Sequence, residues 1–213
     1  YDYSYGNPTG RAQGIGYVQE LVARLTNQYI TTSKSSVNAS LDDNGITFPL
    51  GQPFYMDMSH DDIIISALTA LSFDYLKGDL PVDAAAYPPN PNRTFLLSHL
   101  TPFAARLTTE VIGCASPDPV AKPVAETYYT QSTNGYEASK ATSKFIRMTL
   151  NNGILPLTAI RGGYCTRPDG LCAMSSFLAS TANATGLANY QKVCFSKVSS
   201  VIAGFDGDGT SFF

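Results

Sequence analysis

Apolar side chains recur at helical spacing over residues 11–29 of the chain. Residues on one face of a helix return every three or four positions, and this stretch follows that period. We therefore predict an amphipathic helix over this range, with Gln19, Glu20 and Arg24 on its solvent-exposed side. The apolar positions of the buried face are Ile15, Val18, Leu21, Val22 and Leu25.

The spacing of apolar residues changes in the middle of the stretch from Pro53 to Gly78. Apolar and polar residues alternate over Phe54–Met58, which predicts a short strand. An apolar run over Ile63–Leu71 predicts a well-buried helix. The polar residues 59–62 thus lie where the predicted strand gives way to the start of the predicted helix.

The polar residues at this junction suit phosphate chemistry. The first turn of a helix carries free backbone N–H groups and the positive end of the helix dipole, and both favour a bound anion. His60, one of only two histidines, can donate to such an anion, and Asp61 can pass a proton. The alternative is that Ser59, Asp61 and Asp62 only cap the helix while His60 packs beside them.

The remaining pattern mixes strands and helices. We predict a strand over Thr94–Leu100, which contains the second histidine, His99, as a packed or rim residue. Residues 102–112 continue as a strand or short helix towards Cys114. Phe145–Leu150 and Ile154–Leu157 flank an Asn-Asn-Gly turn, which is typical of a hairpin. A further helix is predicted over residues 174–182.

Composition restricts the kind of protein. The 213 residues are 44% hydrophobic, which is enough for a substantial core. The net charge of −3, with no Lys/Arg cluster, argues against a nucleic-acid partner. No apolar run approaches the ~20 residues of a membrane span, so no membrane partner is expected.

Sequons and cysteines together predict a secreted glycoprotein. Asn38, Asn92 and Asn183 each begin a glycosylation sequon, and the number of cysteines is even. Cys165 and Cys172 flank a turn sequence that could bring them together. Cys114 and Cys194 are isolated, and pair either with each other or with a group outside the chain. The spacings do not suit zinc, so no metal site is expected.

Several blocks of sequence, taken in their order along the chain, resemble the fungal histidine acid phosphatases and within them the phytase-like branch. This resemblance implies an α/β class with the histidine-phosphatase (phosphoglycerate-mutase-like) fold and an additional α domain. It also implies hydrolysis of phosphate monoesters through a phosphohistidine, without a cofactor. The blocks are Tyr5–Leu25, Phe54–Asp62, Thr101–Leu107, Cys114, Asn151–Leu157, Cys165–Cys172 and Cys194–Phe195.

The resemblance assigns roles to individual residues. His60 matches the histidine of the family's His-Asp pair, which holds the phosphate, and Asp61 matches the general acid that protonates the leaving alcohol. Asp62 follows them, where it would face the substrate. Cys165 and Cys172 match a local disulfide, while Cys114 and Cys194 would bond to cysteines in the N-terminal half of the enzyme.

Two departures from the family pattern shape the prediction. The Arg-His-Gly-x-Arg-x-Pro signature, which carries the nucleophilic histidine, is absent. We therefore expect residues 1–195 to be the C-terminal part of the catalytic unit, residues 196–213 to be a tail, and the N-terminal half to be a separate, disulfide-linked chain. The start at Tyr1 rather than Met fits the removal of an upstream part.

The second departure is Asp62, at a position where phytases of this branch often carry a neutral residue. A carboxylate there repels a heavily phosphorylated inositol. The sequence therefore favours a secreted acid phosphatase of broad range. A phytase, or a glycoprotein fragment without catalytic activity, is the alternative.

Overall fold

A computed structural model of the chain describes residues 3–78, 90–121 and 137–196. Helices and an antiparallel sheet are both present, as the α/β prediction requires. The helices are α1 (Thr9–Thr26), α2 (Ala39–Asp42), α3 (Asp61–Ala70), α4 (Leu97–Leu100), α5 (Met174–Thr181), α6 (Ala184–Ala188) and α7 (Tyr190–Phe195). The strands are β1 (Leu107–Cys114), β2 (Ser143–Leu150), β3 (Gly153–Ile154) and β4 (Cys172–Ala173).

The chain forms two compact units. The first takes the described residues up to Pro102 and those from Ala182 onwards, and the second is the continuous segment Phe103–Thr181. The predicted boundary at residues 195 and 196 stays a prediction, because residues 197–213 lie outside the described part.

The first unit is built on α1, against which α3, α6 and α7 pack. The predicted helix over residues 11–29 is confirmed, and it ends where Asn27 adopts a left-handed conformation with φ of 56°. The approach of α1 to α3 requires a glycine, since a Cβ on Gly14 would lie 2.0 Å from the carbonyl oxygen of Ser66. Apolar side chains such as Ile15 and Leu68 are fully buried at 0% exposure and form the core.

Arg11 anchors the C-terminal end of α3 from the neighbouring helix. Its side chain is completely buried, and Nη1 donates to Ser72 Oγ at 2.9 Å and to the carbonyl oxygen of Ala70 at 3.5 Å. A cation at this end is favourable, because the C-terminus of a helix carries a partial negative charge. Asp74, which accepts a hydrogen bond from Tyr5 at 3.0 Å, balances the charge with an ion-pair distance of 3.7 Å to Arg11.

The second unit contains a sheet in which β2 is central. β1 pairs with β2 along its whole length, while β3 and β4 pair with its two ends, all antiparallel. The predicted hairpin turn is confirmed, since Asn151 and Asn152 both have positive φ, at 54° and 82°, as a tight turn of this kind requires. The return strand is shorter than the predicted Ile154–Leu157, because β3 ends at Ile154 and a 3-10 turn begins at Leu157. The predicted last helix is also confirmed, as α5 (Met174–Thr181), which packs on β2 and β4.

Two predicted strands are wrong. Thr94–Leu100 contains the short helix α4, with His99 exposed in its last turn. Phe54–Met58 is irregular, and its apolar side chains point outwards, with Phe54, Met56 and Met58 exposed at 74%, 72% and 90%. A strand needs neighbouring strands to accept and donate its backbone hydrogen bonds. No described residue of this chain supplies them to this segment.

No helix in the described ranges is both long enough and apolar enough to cross a membrane.

Candidate active site

His60 and Asp61 lie at the start of α3, as predicted. His60 is the residue before the first helical turn, has extended backbone angles (φ −111°, ψ 163°) and does not cap the helix with its side chain. Both side chains are exposed, and neither makes a hydrogen bond or ion pair with any part of the chain that the structure describes. The sequence alternative in which His60 packs against the cap is therefore not what the structure has.

The helix that carries this pair is tightly held below its first turn. Residues 65–70 of α3 are all buried. Within it, the Ser66 hydroxyl lies 2.8 Å from the carbonyl oxygen of Tyr3, to which it can donate, and Thr69 Oγ1 donates to the carbonyl oxygen of Ile65 at 2.9 Å. The exposed His60 and Asp61 are thus presented from the end of a rigid element.

Asp62 completes the first turn, but it is placed differently from Asp61. It is half-buried, and its Oδ1 is enclosed without a hydrogen-bond partner among the described residues. Two carboxylates in a first turn interact favourably with the positive end of the helix dipole. Asp62 therefore adds negative charge beside Asp61, and its predicted contact with substrate stays a prediction.

Sequence reasoning missed an ionic cluster on α1 that contacts the segment leading to His60. Arg24 was expected on the solvent side, but its side chain is only 14% exposed. Its guanidinium donates to both carboxylate oxygens of Asp57, with Nη2 3.0 Å from Oδ1, and it lies 3.3 Å from Glu20 Oε2. The rings of Phe48 and Tyr55 stack on it, with centroids 5.3 and 5.0 Å away.

The carboxylates of this cluster differ in pKa and in their contact with Arg24. Burial raises the pKa of Glu20, and repulsion by Asp42 and Asp57 raises it further, while Arg24 opposes the shift. Burial also raises the pKa of Asp42, again against the effect of Arg24. The guanidinium of Arg24 therefore interacts favourably with Glu20, Asp42 and Asp57, and only Asp57 accepts hydrogen bonds on both of its carboxylate oxygens.

The predicted disulfide between Cys165 and Cys172 is confirmed. Cys114 and Cys194 are in no disulfide and belong to different units, so the structure does not pair them with each other. Burial raises the pKa of both thiols, which lowers their thiolate fraction and makes either a poor nucleophile.

The three sequon asparagines, Asn38, Asn92 and Asn183, are all exposed. Asn38 precedes α2 and its side chain accepts a hydrogen bond from the backbone N–H of Ser40 at 3.1 Å. No group of three or more His, Cys, Asp or Glu side chains in the described ranges could hold a metal ion.

Comparison with known proteins identifies the family. The model of the histidine phosphatase superfamily (branch 2) matches residues 1–151. The chain belongs to this superfamily. The predicted resemblance and α/β fold class are therefore confirmed, and the His-Asp pair lies within the matched region.

Individual relatives in this family are fungal phytases. Phytase A of Aspergillus awamori is 41% identical over 116 residues, which cover 54% of this chain and 24% of the relative. Phytase A of Emericella nidulans is 33% identical over 163 residues, or 76% of this chain and 34% of the relative. Phytase A of Arthroderma benhamiae is 30% identical over 199 residues, or 90% of this chain and 36% of the relative. The chain thus spans about a quarter to a third of these relatives.

Proposed function

We propose that this chain supplies the proton donor and one phosphate-binding side chain of a secreted acid phosphatase. The observation that carries the proposal is the pair His60–Asp61, which is exposed and without hydrogen-bond or ion-pair partners in the described chain, at the start of a helix whose residues 65–70 are buried. Membership of the histidine phosphatase superfamily supports it.

The proposed reaction has two steps. A histidine nitrogen outside this chain forms a bond to phosphorus, while the bond from phosphorus to the ester oxygen breaks and Asp61 gives its proton to that oxygen. Water then attacks phosphorus, Asp61 takes a proton from the water, and the bond to histidine breaks to release phosphate. His60 and the N–H groups at the start of α3 stabilise the negative oxygens throughout.

The nucleophile comes, in this proposal, from the N-terminal half of the same enzyme. Three observations support such a partner: the Arg-His-Gly-x-Arg-x-Pro signature is absent from the sequence, the chain spans only about a third of its relatives, and Phe54, Met56 and Met58 form an exposed apolar row. Cys114 and Cys194, which pair with no cysteine of this chain, are the proposed attachment points.

Secretion and glycosylation form part of the proposal. All three sequon asparagines are exposed, so attached glycans would meet no steric barrier at these positions. The Cys165–Cys172 disulfide fits an oxidising compartment.

A phytase is the second candidate, and it is favoured by the names of the relatives, which are phytases. The half-buried Asp62 argues for the broader range, because a carboxylate next to the site repels a polyanion. A direct comparison of kcat/KM for phytate and for p-nitrophenyl phosphate distinguishes the two. A much higher kcat/KM for phytate than for p-nitrophenyl phosphate would favour a phytase over an acid phosphatase of broad range.

The central test is Asp61→Asn, made in this chain and assayed after co-expression with a polypeptide that carries the missing signature. Removal of the proton donor should lower kcat on an alkyl phosphate by about 10²–10⁴-fold. The loss on p-nitrophenyl phosphate should be smaller, because that leaving group needs no proton. The matched control is Asp43→Asn, an exposed carboxylate after α2, which should leave kcat unchanged.

Normal turnover of the alkyl phosphate by Asp61→Asn at every pH would show that Asp61 is not the acid. No phosphatase activity in the co-expressed wild-type pair would favour a fragment without catalytic activity.

A further inference from the structure

We propose that Arg24 is a positioning residue for the His60–Asp61 pair and acts on it through Asp57. The inference rests on the proposed function of that pair, and adds a residue that neither the family motif nor the sequence pattern indicates. Its basis is the bidentate contact between Arg24 on α1 and Asp57, which precedes Asp61 by only four positions.

The segment before His60 has few other attachments. Residues 53–59 form no regular element, and no backbone–backbone hydrogen bond links them to another described residue. The hydroxyl of Tyr55 accepts a hydrogen bond from the backbone N–H of Gln52 at 3.0 Å, which is a local contact. Phe54, Met56 and Met58 point into solvent. Within the described chain, the contacts of Tyr55 and Asp57 with Arg24 therefore join this segment to α1.

Arg24 itself is well fixed. It lies between the rings of Phe48 and Tyr55, its side chain is 14% exposed, and Glu20 holds it from the preceding turn of α1. A guanidinium matches both oxygens of a carboxylate at once, which restrains orientation as well as distance. Arg24 thus gives Asp57 one defined position relative to α1.

The same helix also fixes α3. Gly14 on α1 lies against the backbone of Ser66 on α3, so the two helices pack closely at this point. The short link from Asp57 to Asp61 is therefore held at one end by Arg24 and at the other by the first turn of α3. Since the side chains of His60 and Asp61 make no hydrogen bond or ion pair with the described chain, their alignment depends on the backbone that carries them.

The test uses the enzyme assembled from this chain and its proposed N-terminal half. Asp57→Asn keeps the size of the side chain but removes its charge and the strong bidentate pairing with Arg24. A small displacement of a reacting group costs about 10²-fold in rate, so kcat on an alkyl phosphate should fall by roughly 10–100-fold. Arg24→Lys should act in the same direction, because an ammonium group lacks the rigid planar fork with which a guanidinium fixes the orientation of a carboxylate.

The matched control is Glu110→Gln in the second unit. Its carboxylate accepts a hydrogen bond from Arg147 Nε at 2.7 Å, so the control removes a similar ion pair that has no link to His60 or Asp61. Its kcat should stay within about twofold of the unmodified enzyme, as for most partly exposed ion pairs.

A double-mutant cycle separates positioning from general destabilisation. Where Asp61→Asn has already removed the acid, the misplacement of that group has no further effect and only the misplacement of His60 remains. Asp57→Asn should therefore lower kcat by a clearly smaller factor in that background than in the unmodified enzyme. Equal losses in both backgrounds, or unchanged kcat in Asp57→Asn alone, would overturn the proposal. If circular dichroism shows that Asp57→Asn does not fold, Arg24→Lys takes its place in the cycle.

The cycle also distinguishes the two proposals. Unchanged kcat in Asp61→Asn alone overturns the proposed role of Asp61, and with it the positioning by Arg24. A large loss in Asp61→Asn that simply adds to the loss in Asp57→Asn overturns the positioning only.

Discussion

The carboxylate of Asp169, inside the disulfide loop, is buried and yet stays charged. Burial alone would raise its pKa, but hydrogen bonds from Arg167 and from the backbone N–H of Leu171 outweigh it and lower the pKa from the ordinary 3.8. The distances are 2.6 Å from Arg167 Nη2 to Oδ2 and 3.2 Å from the N–H of Leu171 to Oδ1.

Asp169→Asn should therefore destabilise the chain in a pH-dependent way. A carboxyl with a lowered pKa contributes stability above its unfolded pKa, and this contribution is lost as the pH falls through the folded pKa. We expect the free energy of unfolding to drop by roughly 1–3 kcal/mol at neutral pH. The difference should shrink below about pH 4. Urea denaturation with the disulfide intact, repeated from neutral to acid pH, measures it.

Asp118→Asn is the control for this prediction. Asp118 also contacts Arg167, at 3.0 Å, but its side chain is 94% exposed. An exposed ion pair adds little to stability, so this variant should unfold almost like the unmodified chain. Equal losses in the free energy of unfolding for Asp169→Asn and Asp118→Asn would mean that burial does not determine how much each ion pair with Arg167 contributes.

The residues of the proposed site could be located from the sequence only where they form a local pattern. His60 and Asp61 could be found because they follow an alternating run and precede an apolar one. Arg24 could not, because its partner Asp57 is 33 positions away and nothing in either local pattern connects them. The rings of Phe48 and Tyr55 that cover Arg24 also come from irregular segments.

At the scale of elements, the crossing of α1 and α3 depends on Gly14. Gly14→Ala would place a Cβ 2.0 Å from a backbone carbonyl oxygen of α3, which cannot move aside as a flexible side chain would. The helices must separate, and we expect a loss of roughly 1–3 kcal/mol or more in the free energy of unfolding. Thermal or urea denaturation measures this loss.

Gly186→Ala in α6 is the matched control for that variant. A Cβ there meets nothing within 4 Å, and alanine favours a helix over glycine by up to about 1 kcal/mol. This variant should be as stable as the unmodified chain or more so. A Gly14→Ala chain of normal stability would show that the two helices can separate easily.

The apolar row Phe54, Met56 and Met58 gives a prediction about association. Met58→Asp should not change the stability of this chain alone, because the side chain is already 90% exposed. It should weaken binding to the proposed N-terminal half, where a charge would be buried without a partner. Met58→Leu should bind normally. If titration calorimetry shows that Met58→Asp and Met58→Leu bind the N-terminal half equally well, that half must bind to another surface of the chain.

Elements were predictable where this chain contains everything that they pack against. The faces of α1 and α3 cover each other, and β2 pairs with β3 across a tight turn and with β4 at the end of the disulfide loop. The predicted strand at Phe54–Met58 fails for the opposite reason. A strand requires at least one neighbouring strand, and the described chain provides none.

At the scale of the whole molecule, the two free cysteines test the proposed two-chain enzyme. We expect a non-reduced peptide map of the intact protein to show Cys114 and Cys194 each bonded to a cysteine of a second polypeptide. Reduction should then release two bands on a gel. A bond between Cys114 and Cys194, or two free thiols in the active protein, would contradict the disulfide-linked arrangement.

The division of the chain into units also sets an order of events during synthesis. The second unit is one continuous segment, so its whole sequence leaves the ribosome before α6 and α7 do. α1, however, packs against α6 and α7, which begin after Ala182. At about 5–20 residues per second, the ribosome needs roughly 8–30 s to reach them after α1 is made. For that interval the part of α1 that α6 and α7 cover in the folded chain stays without these two helices.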